Sequence, residues 1–315
     1  MSSNRAIVVD PSVKGRLAIQ EVASPTPLPS EALVRVAAIS LNLGEVRRST
    51  TAEAGWQPGW DFAGTVEQQA ADGSGPRQGT RVVGVLSVGA WAEVIAVPTP
   101  MLAELPDTVT FSQAATLPVA GLTAYRALEK GGFLVGKRVL ITGASGGVGH
   151  FAVQLAHIAG AQVIGVARRA ERVADIRQAG AHHVIVSEDL EAARQSGPYH
   201  LILDAVGGNV LGNALSMLAP GGTAVSYGSS SDLQGTVTFK PQAFYWAGGA
   251  NLYGLIIFHE LARHPGSEDL GILARLIADG RLHPHIDLEL SWTHIVDAVQ
   301  SLLERRITGK VVLTL

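Results

Sequence analysis

The pattern of apolar and polar residues along the chain changes near Leu117. Before that point, short runs rich in β-branched residues alternate with segments rich in Pro, Gly and Ser, such as residues 71–79. Apolar runs of this length, bounded by turn-forming residues, are typical of antiparallel strands. The pattern therefore predicts an antiparallel, barrel-like domain with strands at residues 33–38, 64–68, 80–85 and 91–97.

From about Pro118 onward, strand-length apolar runs alternate with helix-length segments. The predicted strands are residues 139–142, 162–167, 183–186, 200–204 and 223–227. This alternation is typical of a parallel, doubly wound sheet with right-handed crossovers. After about Arg281 the pattern is mixed, and it ends in a predicted helix at 292–305 and a strand at 309–315. The apolar segment 251–258 is interpreted as a late strand, which at an edge of the sheet could pair with a second subunit.

A glycine-rich turn between a strand and a helix is the clearest functional motif. Residues 138–149 read RVLITGASGGVG, and a helix is predicted from about Val148 to Ala159. In such a turn Gly143 allows the sharp bend, Gly146 lets the backbone approach a pyrophosphate, and Gly149 lets the helix pack closely on the strand. The amides at the helix start and the helix dipole attract phosphate groups. The motif predicts a dinucleotide site formed by Gly143, Ser145, Gly146, Gly147, Val148 and Gly149.

Two arginines follow the second strand of this domain. An NAD-binding unit usually carries an acid about 20 residues beyond the glycines, where it holds the ribose 2′-hydroxyl. Here no Asp or Glu occurs between Gly149 and Glu171, and Arg168 and Arg169 stand in that place. Guanidinium groups suit a 2′-phosphate, so the sequence predicts NADP(H). The alternative is that the pair only precedes a solvated helix start, although cations there oppose the helix dipole.

Composition limits the classes of function. The chain has 315 residues, of which 47% are hydrophobic and 16% charged, so two compact domains are expected. A net charge of −3 argues against nucleic acid or an anionic membrane surface as the main partner. We find neither a leader pattern nor an apolar run of membrane-spanning length, and we therefore expect a cytoplasmic protein. Cysteine is absent, which excludes disulfides, thiolate zinc sites and a cysteine nucleophile within this sequence.

Five motifs, taken in order, carry a family resemblance. The motifs are SLN at 40–42 with Glu45, PGWDFAG at 58–64, GLTAY at 121–125, the glycine turn at 143–149 and TGKVV at 308–312. The chain resembles the zinc-independent quinone oxidoreductase (zeta-crystallin-like) branch of the medium-chain dehydrogenase/reductase superfamily. The resemblance implies an α/β protein with a GroES-like β-barrel catalytic domain, residues 1–117 and 282–315. A Rossmann NADP-binding domain, residues 118–281, lies between these segments, and a homodimer is expected.

The resemblance also has informative departures. Zinc-dependent relatives carry a cysteine ligand where Asn42 stands and a Gly-His-Glu motif where residues 59–61 read Gly-Trp-Asp. These substitutions imply that no catalytic zinc is bound, and the lack of cysteine excludes the four-cysteine structural zinc loop. Related quinone reductases often carry tyrosines between these two motifs, whereas this chain has only Trp56 there. The acceptor is therefore left open between a quinone and an α,β-unsaturated carbonyl compound.

The implied chemistry is hydride transfer from a nicotinamide to an electron-poor small molecule, with the protein supplying binding and orientation. An enoyl or 2-alkenal double-bond reductase is the alternative enzyme, and an NADPH-binding module with little turnover is the alternative outside enzymes. Residues 143–147 also fit the Gly-x-Ser-x-Gly pattern of serine hydrolases, with Asp204 and His259 in hydrolase order. That scheme gives no role to Gly149 or to the two arginines.

The resemblance assigns catalytic or cofactor roles to residues of both domains. Asn42 is implied to orient the substrate or the nicotinamide ribose, and Trp60, with Trp56, to line an apolar pocket. Thr123 and Tyr125 are implied to lie near the nicotinamide ribose. The structural alternatives are a turn residue for Asn42, core packing for the tryptophans and a buried, satisfied tyrosine.

The remaining predicted cofactor contacts lie further along the chain. Val206, Tyr227, Gly228 and Ser229 follow predicted strands, at the edge where open α/β sheets bind cofactors. Lys310 is implied to reach back toward the cofactor, and an exposed lysine at a strand start is the alternative. Asp61 is interpreted as a residue that holds local structure rather than one that transfers protons.

Overall fold

A computed structural model describes residues 3–231 and 234–315. The chain divides into two compact units. The first joins the residues up to Leu122 with Leu261–Leu315, and the second is Thr123–Glu260. The first unit is thus built from both ends of the chain, with the second inserted between them.

The boundaries of the units differ from the predicted ones at 117/118 and 281/282. The helix Ser267–Ala278, which the sequence analysis assigned to the nucleotide-binding domain, packs on the first unit. A Cβ atom at Gly121 would lie 3.1 Å from Leu273 of this helix. Its apolar face is therefore buried by the first unit, a tertiary contact that an alternating strand–helix pattern does not reveal.

The first unit is a mostly antiparallel β structure. Its strands are β1 (Asn4–Val9), β2 (Leu17–Val22), β3 (Glu31–Leu41), β4 (Asp61–Gln68), β5 (Arg81–Val85), β6 (Val94–Pro98), β7 (Leu102–Glu104), β14 (Ile286–Ser291) and β15 (Lys310–Thr314). Within the described residues, seven strands form one sheet with the path β14-β15-β3-β4-β5-β7, and β6 also pairs with β3. The long strand β3 therefore pairs along its length with β4, β15 and β6. This arrangement brings the carboxyl end of β3 beside the start of both β4 and β15.

Short helices complete the first unit. They are α1 (Leu43–Ser49), α2 (Phe111–Ala115), a π-helix (Leu117–Gly121), α9 (Ser267–Ala278) and α10 (Ile295–Leu303), the last preceded by a 3-10 turn (Trp292–His294). The core beneath the sheet includes Ile7, Val34, Ile39, Phe62, Trp91, Trp292 and Val311, which are all buried. Helix α3 (Leu122–Glu129) leads from the π-helix into the second unit.

The second unit is a parallel sheet, as predicted. Its strands are β8 (Arg138–Ile141), β9 (Gln162–Ala167), β10 (His183–Val186), β11 (Tyr199–Asp204), β12 (Leu218–Ser226) and β13 (Asn251–Gly254). Its helices are α4 (Gly147–Ile158), α5 (Val173–Gln178), α6 (Gly208–Leu215) and α7 (Pro241–Trp246), followed by α8 (Ile257–Arg263), which crosses the boundary at Glu260. The strand order is β10-β9-β8-β11-β12-β13, and every pairing is parallel. The order reverses at β8, so the turn after β8 lies at the switch point where such sheets bind ligands.

One predicted strand differs from the structure, and some strands, β14 among them, had no predicted counterpart. The predicted strand 251–258 ends at Gly254, and Ile257 and Phe258 begin helix α8. An uninterrupted apolar run does not distinguish a strand from a buried helix turn, which explains the error. Strand β13 nevertheless lies at the edge of the sheet, as expected. Strand β14, in the region read as mixed, alternates half-buried and exposed residues. Among the described residues, no helix is long and apolar enough to cross a membrane.

Candidate active site and cofactor-binding edge

A buried carboxylate organises the polar cluster of the first unit. Asp61 begins β4 and is fully buried. Its Oδ2 accepts hydrogen bonds from Ser40 Oγ (2.7 Å), Asn42 Nδ2 (2.8 Å) and Lys310 Nζ (3.2 Å). Its Oδ1 accepts one from the backbone amide of Val119 in the π-helix (2.9 Å). A carboxylate with four donors, one of them cationic, is a well-compensated buried charge.

Asn42 sits at the centre of this cluster. Its Nδ2 donates to Asp61 Oδ2 and to Glu45 Oε1 (3.0 Å), which uses both amide hydrogens. Its Oδ1 accepts from Lys310 Nζ at 2.7 Å. Two carboxylates on the nitrogen side and an ammonium on the oxygen side fix the orientation of the amide. The half-buried Asn42 side chain therefore has no amide hydrogen left to donate to a ligand.

Lys310 is buried, so the alternative of an exposed lysine is wrong. Its side chain is 4% exposed, and its Nζ also donates to the backbone oxygen of Leu41 at 3.1 Å. The three hydrogens of the ammonium thus match three acceptors on Leu41, Asn42 and Asp61. The structure joins Lys310 to Asn42, a contact that the sequence did not predict, and the implied reach of Lys310 toward a cofactor stays a prediction.

Glu45 is a second buried acid in the cluster. Its Oε1 accepts from the backbone amide of Asn42 (2.8 Å) as well as from Asn42 Nδ2. Its Oε2 is buried and has no hydrogen-bond partner among the residues that the structure describes. Burial, and then the neighbouring Asp61 carboxylate, hold the pKa of Glu45 well above its usual range, although Asn42 and Lys310 oppose this shift. The sequence analysis noted Glu45 only as a motif residue, yet an Asn-x-x-Glu spacing at a helix start signals this capping contact.

Both candidate pocket tryptophans contact residues of α1. A Cβ atom at Gly44 would come within 2.8 Å of the Trp60 ring, so Trp60 packs on the backbone of α1. Trp56 packs on the core, and the Arg48 guanidinium lies 4.9 Å from its ring centroid. Core packing thus accounts for much of Trp56, and both tryptophans are half-buried.

Thr123 and Tyr125 lie on helix α3. Thr123 is buried and Tyr125 is half-buried. A π-helix immediately before α3 is a feature that often accompanies functional sites. Their predicted contact with a nicotinamide ribose stays a prediction.

The glycine turn of the second unit has the predicted conformation. Gly143 has φ +58°, a left-handed geometry that favours glycine. A Cβ atom at Gly149 would lie 2.2 Å from the Gly143 oxygen, so only glycine lets the start of α4 approach the turn this closely. Gly146 is the N-cap of α4 and provides no side-chain cap, which leaves the first amides of the helix available to a ligand. These features fit a pyrophosphate group.

A buried aspartate joins the neighbouring strand ends to this turn. Asp204 at the end of β11 accepts hydrogen bonds from Thr142 Oγ1 (2.7 Å) and the Gly207 amide (2.9 Å). Burial raises the pKa of Asp204, while the hydrogen bonds from Thr142 and Gly207 oppose the shift. The Asp204 oxygens accept hydrogen bonds from Thr142 and from the backbone amides of Val206 and Gly207, so Asp204 fixes the loop after β11. A catalytic triad would instead need Asp204 to bind a histidine, which argues against a serine hydrolase.

Most of the predicted cofactor contacts are brought together at this edge. The Ser231 amide donates to the Val206 oxygen (3.1 Å), and a Cβ atom at Gly207 would lie 3.3 Å from Ser229 Oγ. A Cβ atom at Gly228 would lie 3.0 Å from the Ala205 oxygen. The loops after β11 and β12 therefore pack directly on each other, beside the turn after β8. Thr142 and Asp204, which the sequence analysis did not assign to the site, hold them there.

Tyr227 carries an unpaired hydroxyl at the same edge. Its Oη is buried and has no partner within residues 3–231 and 234–315. Burial, and then the nearby Asp204 carboxylate, raise the pKa of Tyr227. An unpaired buried hydroxyl costs about 1–3 kcal/mol, so a ligand or water that supplies an acceptor there would be favoured. The orphaned hydroxyl, like the glycine turn, fits a polar cofactor at this edge.

Arg168 and Arg169 directly follow β9, the strand next to β8. Both are exposed, and the ion pair of Arg169 with Glu171 is long, at 4.0 Å. Arg169 is the N-cap of a 3-10 turn (Ala170–Arg172) and makes no side-chain cap. Arg168 and Arg169 therefore remain available to a ligand beside the glycine turn. Capping of the 3-10 turn does not account for their presence at this place.

No group of three His, Cys, Asp or Glu side chains in the described part of the chain could hold a metal ion. The positions that correspond to zinc ligands in the resemblance carry Asn42, Trp60 and Asp61. Two of these three, Asn42 and Asp61, contact the Lys310 ammonium.

Comparisons with known proteins agree with this architecture. Residues 28–107 match the family "Alcohol dehydrogenase GroES-like domain", and residues 147–273 match the family "Zinc-binding dehydrogenase". The chain belongs to the medium-chain dehydrogenase/reductase superfamily. The predicted fold class, a GroES-like domain with a Rossmann-type parallel sheet, is confirmed, and the chain is an oxidoreductase of this superfamily.

Individual relatives of this dehydrogenase/reductase span several activities. The chain is 28% identical to the human synaptic vesicle membrane protein VAT-1 homolog, and the match covers 95% of the chain and 83% of that protein. The chain is 29% identical to a 2-methylene-furan-3-one reductase of Solanum lycopersicum, and this match covers 93% of the chain and 74% of the reductase. The solved structure of a quinone oxidoreductase from Coxiella burnetii superposes with a TM-score of 0.84 at 26% identity, with full coverage of both chains.

The raised pKa of Glu45 predicts a specific pH dependence of stability. The folded protein holds the Glu45 proton more tightly than the unfolded chain does, so the free energy of unfolding falls as pH rises from the unfolded pKa toward the folded one. The slope for one proton is at most about 1.4 kcal/mol per pH unit. Glu45→Gln keeps the shape of the protonated acid and should remove this slope, as measured by urea unfolding between acidic and alkaline pH.

The matched control is Glu53→Gln, the same change at an exposed site. It should keep the pH dependence of the parent protein. Equal slopes for the parent and the Glu45→Gln variant would show that Glu45 does not hold an extra proton in the folded state.

Proposed function

We propose that this chain is a zinc-independent, NADPH-dependent reductase that transfers hydride to a quinone or a similar electron-poor carbonyl acceptor. The observation that carries the proposal is the arrangement at the carboxyl edge of the parallel sheet. A glycine turn with an uncapped helix start lies at the switch point after β8, and two exposed arginines follow the adjacent strand β9.

The residues of this edge suit the parts of NADPH. The uncapped amides at the start of α4 would bind the pyrophosphate, while Arg168 and Arg169 would bind the 2′-phosphate through their planar donor forks. The loops that carry Val206 and Ser229 would border the cofactor, and Tyr227 would gain a partner for its hydroxyl. When bound, NADPH supplies the hydride.

The polar cluster of the first unit supports a metal-free reaction. The Lys310 ammonium lies 2.7 Å from Asn42 Oδ1 and 3.2 Å from Asp61 Oδ2. A fixed positive charge at this distance repels a second cation from the same oxygen atoms. Asn42 would contact a bound ligand only through its amide oxygen, because both of its own donors are used.

The acceptor class rests on the relatives. The quinone oxidoreductase from Coxiella burnetii supports a quinone acceptor. The tomato 2-methylene-furan-3-one reductase supports the second candidate, reduction of a carbon–carbon double bond conjugated to a carbonyl group. Both acceptors take up hydride because a conjugated carbonyl oxygen can receive the charge. The proton that completes the reduction would come from water.

We also propose that the protein is a homodimer joined at the edge strand β13. An exposed edge strand normally carries charges that prevent pairing with other chains. Residues 241–258 contain no charged residue, and Leu252 of β13 is 49% exposed. The same segment exposes Tyr245 and Trp246 on α7. Pairing of β13 with β13 of a second copy would satisfy the open backbone groups and cover Leu252.

Removing the two arginines should change cofactor preference. In the double variant Arg168→Met/Arg169→Met, we expect the Kd for NADPH to rise about 10–100-fold, because charge-assisted hydrogen bonds contribute about 1.5–3 kcal/mol. The Kd for NADH should stay close to that of the parent protein. Fluorescence titration with both cofactors measures the difference. Arg177→Met on α5 is the control and should leave both Kd values unchanged. An equal loss of affinity for NADPH and NADH in the double variant would contradict the 2′-phosphate assignment.

Turnover tests the proposed reaction directly. Chelator-treated protein is given NADPH and, in parallel, a benzoquinone, a naphthoquinone and a 2-alkenal, with NADH as the cofactor control. We expect oxidation of NADPH, measured as the loss of NADPH absorbance, with a quinone as the preferred acceptor. Preference for the alkenal would select the double-bond reductase. Binding of NADPH without oxidation by any acceptor would select a binding module, and no binding of NADPH would contradict the cofactor assignment.

A charge placed on β13 should disrupt the proposed dimer. Leu252→Lys is expected to yield monomers in sedimentation experiments, because the lysine would be buried between two copies. Val186→Lys is a matched control on β10, the opposite edge strand, where Val186 is 46% exposed. This control should leave the assembly unchanged. A monomeric parent protein, or a dimer that survives Leu252→Lys, would contradict the proposed interface.

A further inference from the structure

The second unit has an open, solvent-facing cavity with basic side chains in its lining at the amino ends of its strands. The cavity measures about 360 Å³, within the range of small-molecule sites. Its lining includes Arg138, Gln162, His182, His183 and Ser196. Arg138 begins β8, Gln162 begins β9 and His183 begins β10. The cavity therefore lies at the opposite edge of the sheet from the glycine turn, roughly 16 Å away along β8.

The cavity lining offers donors and positive charge. Arg138 Nη1 donates to the backbone oxygens of Ser196 (3.3 Å) and Gly197 (2.9 Å), which hold the guanidinium at the cavity wall. Arg138 forms no ion pair with any residue in the described ranges, and the cavity lining contains no Asp or Glu. Its remaining guanidinium donors therefore have no carboxylate to neutralise them.

His182, the residue before β10, adds a donor whose position is fixed by a backbone hydrogen bond. His182 Nδ1 accepts a hydrogen bond from the backbone amide of Val163 at 3.1 Å. The proton of the neutral ring therefore lies on Nε2, which becomes a donor. Gln162 and Ser196 contribute an amide and a hydroxyl. Donors from an arginine, a histidine, an amide and a hydroxyl form a set that suits a phosphoryl group.

The electrostatic surroundings agree with this chemistry. The backbone amide of Arg138 donates to Nδ1 of His200, one strand away (3.1 Å). Burial, and then Lys137 and Arg138, lower the pKa of His200. The charged groups that act on this histidine are thus both cationic.

We propose that this cavity is a binding site for a phosphoryl group, separate from the cofactor edge. The ligand is either inorganic phosphate or the phosphate monoester of a small metabolite. The volume of the cavity favours the monoester, since it exceeds the space that a few water molecules occupy. The site does not depend on the proposed reductase activity, because its residues belong to the opposite edge of the sheet.

Calorimetric titration of the full chain, saturated with NADPH to occupy the cofactor edge, tests the site. The probes are inorganic phosphate and glucose 6-phosphate, with glucose as the uncharged control. We expect saturable binding of the phosphorylated probes and none of glucose. Binding of glucose 6-phosphate identifies a monoester site, whereas binding of inorganic phosphate alone identifies a site for the free ion, and either result supports the proposal.

Two variants locate the bound phosphate. Gln162→Glu places a carboxylate in the cavity without removing the structural bonds of Arg138, and it should weaken phosphate binding about tenfold. Gln178→Glu makes the same change at an exposed site on α5 and should leave binding unchanged. The proposal is overturned if no phosphate binds or if Gln162→Glu binds as the parent does. It is also overturned if Arg168→Met/Arg169→Met abolishes phosphate binding, because the ion would then occupy the cofactor edge.

Discussion

The first unit depends on the compensation of one buried charge, the Asp61 carboxylate. A carboxylate removed from water loses several kcal/mol of hydration free energy, which a cation and good hydrogen bonds must offset. The donors come from four separate segments: Ser40 on β3, Asn42 at the start of α1, Val119 in the π-helix and Lys310 at the start of β15. Loss of any donor would leave the charge partly unpaired, so the carboxylate fixes the positions of these segments relative to one another.

The second unit uses a buried aspartate in a different way. Asp204 has no cation among its hydrogen-bond partners in the described residues, and it binds a hydroxyl and backbone amides instead. Thr142 Oγ1 donates this bond to Asp204 and itself accepts a hydrogen bond from the Ala205 amide at 3.0 Å. The ends of β8 and β11 are thereby locked together beside the glycine turn. A ligand at this edge meets a preformed set of loops, which reduces the entropy that binding must overcome.

Local features of the fold could be predicted from the sequence, while distant pairings could not. Turn residues and apolar runs predict β9 and β10 with correct bounds, and the glycine spacing predicts the φ of Gly143. The bond between Lys310 and Asn42 joins residues 268 positions apart, and no local pattern indicates it. The placement of α9 in the first unit depends on tertiary contacts and could not be predicted from the sequence for the same reason. Burial of Glu45 also depends on tertiary packing, although its spacing from Asn42 was a usable local signal.

The charge balance of the polar cluster constrains the chemistry that it can support. Burial, and then the neighbouring Asp61 carboxylate, raise the pKa of Glu45 and so favour its protonated form, which adds no negative charge to the cluster. Both amide hydrogens of Asn42 are used within the cluster, so this side chain offers no donor to a developing oxyanion. In the proposed reductase, the charge that forms on an acceptor oxygen would therefore be met by water or by a group other than Asn42.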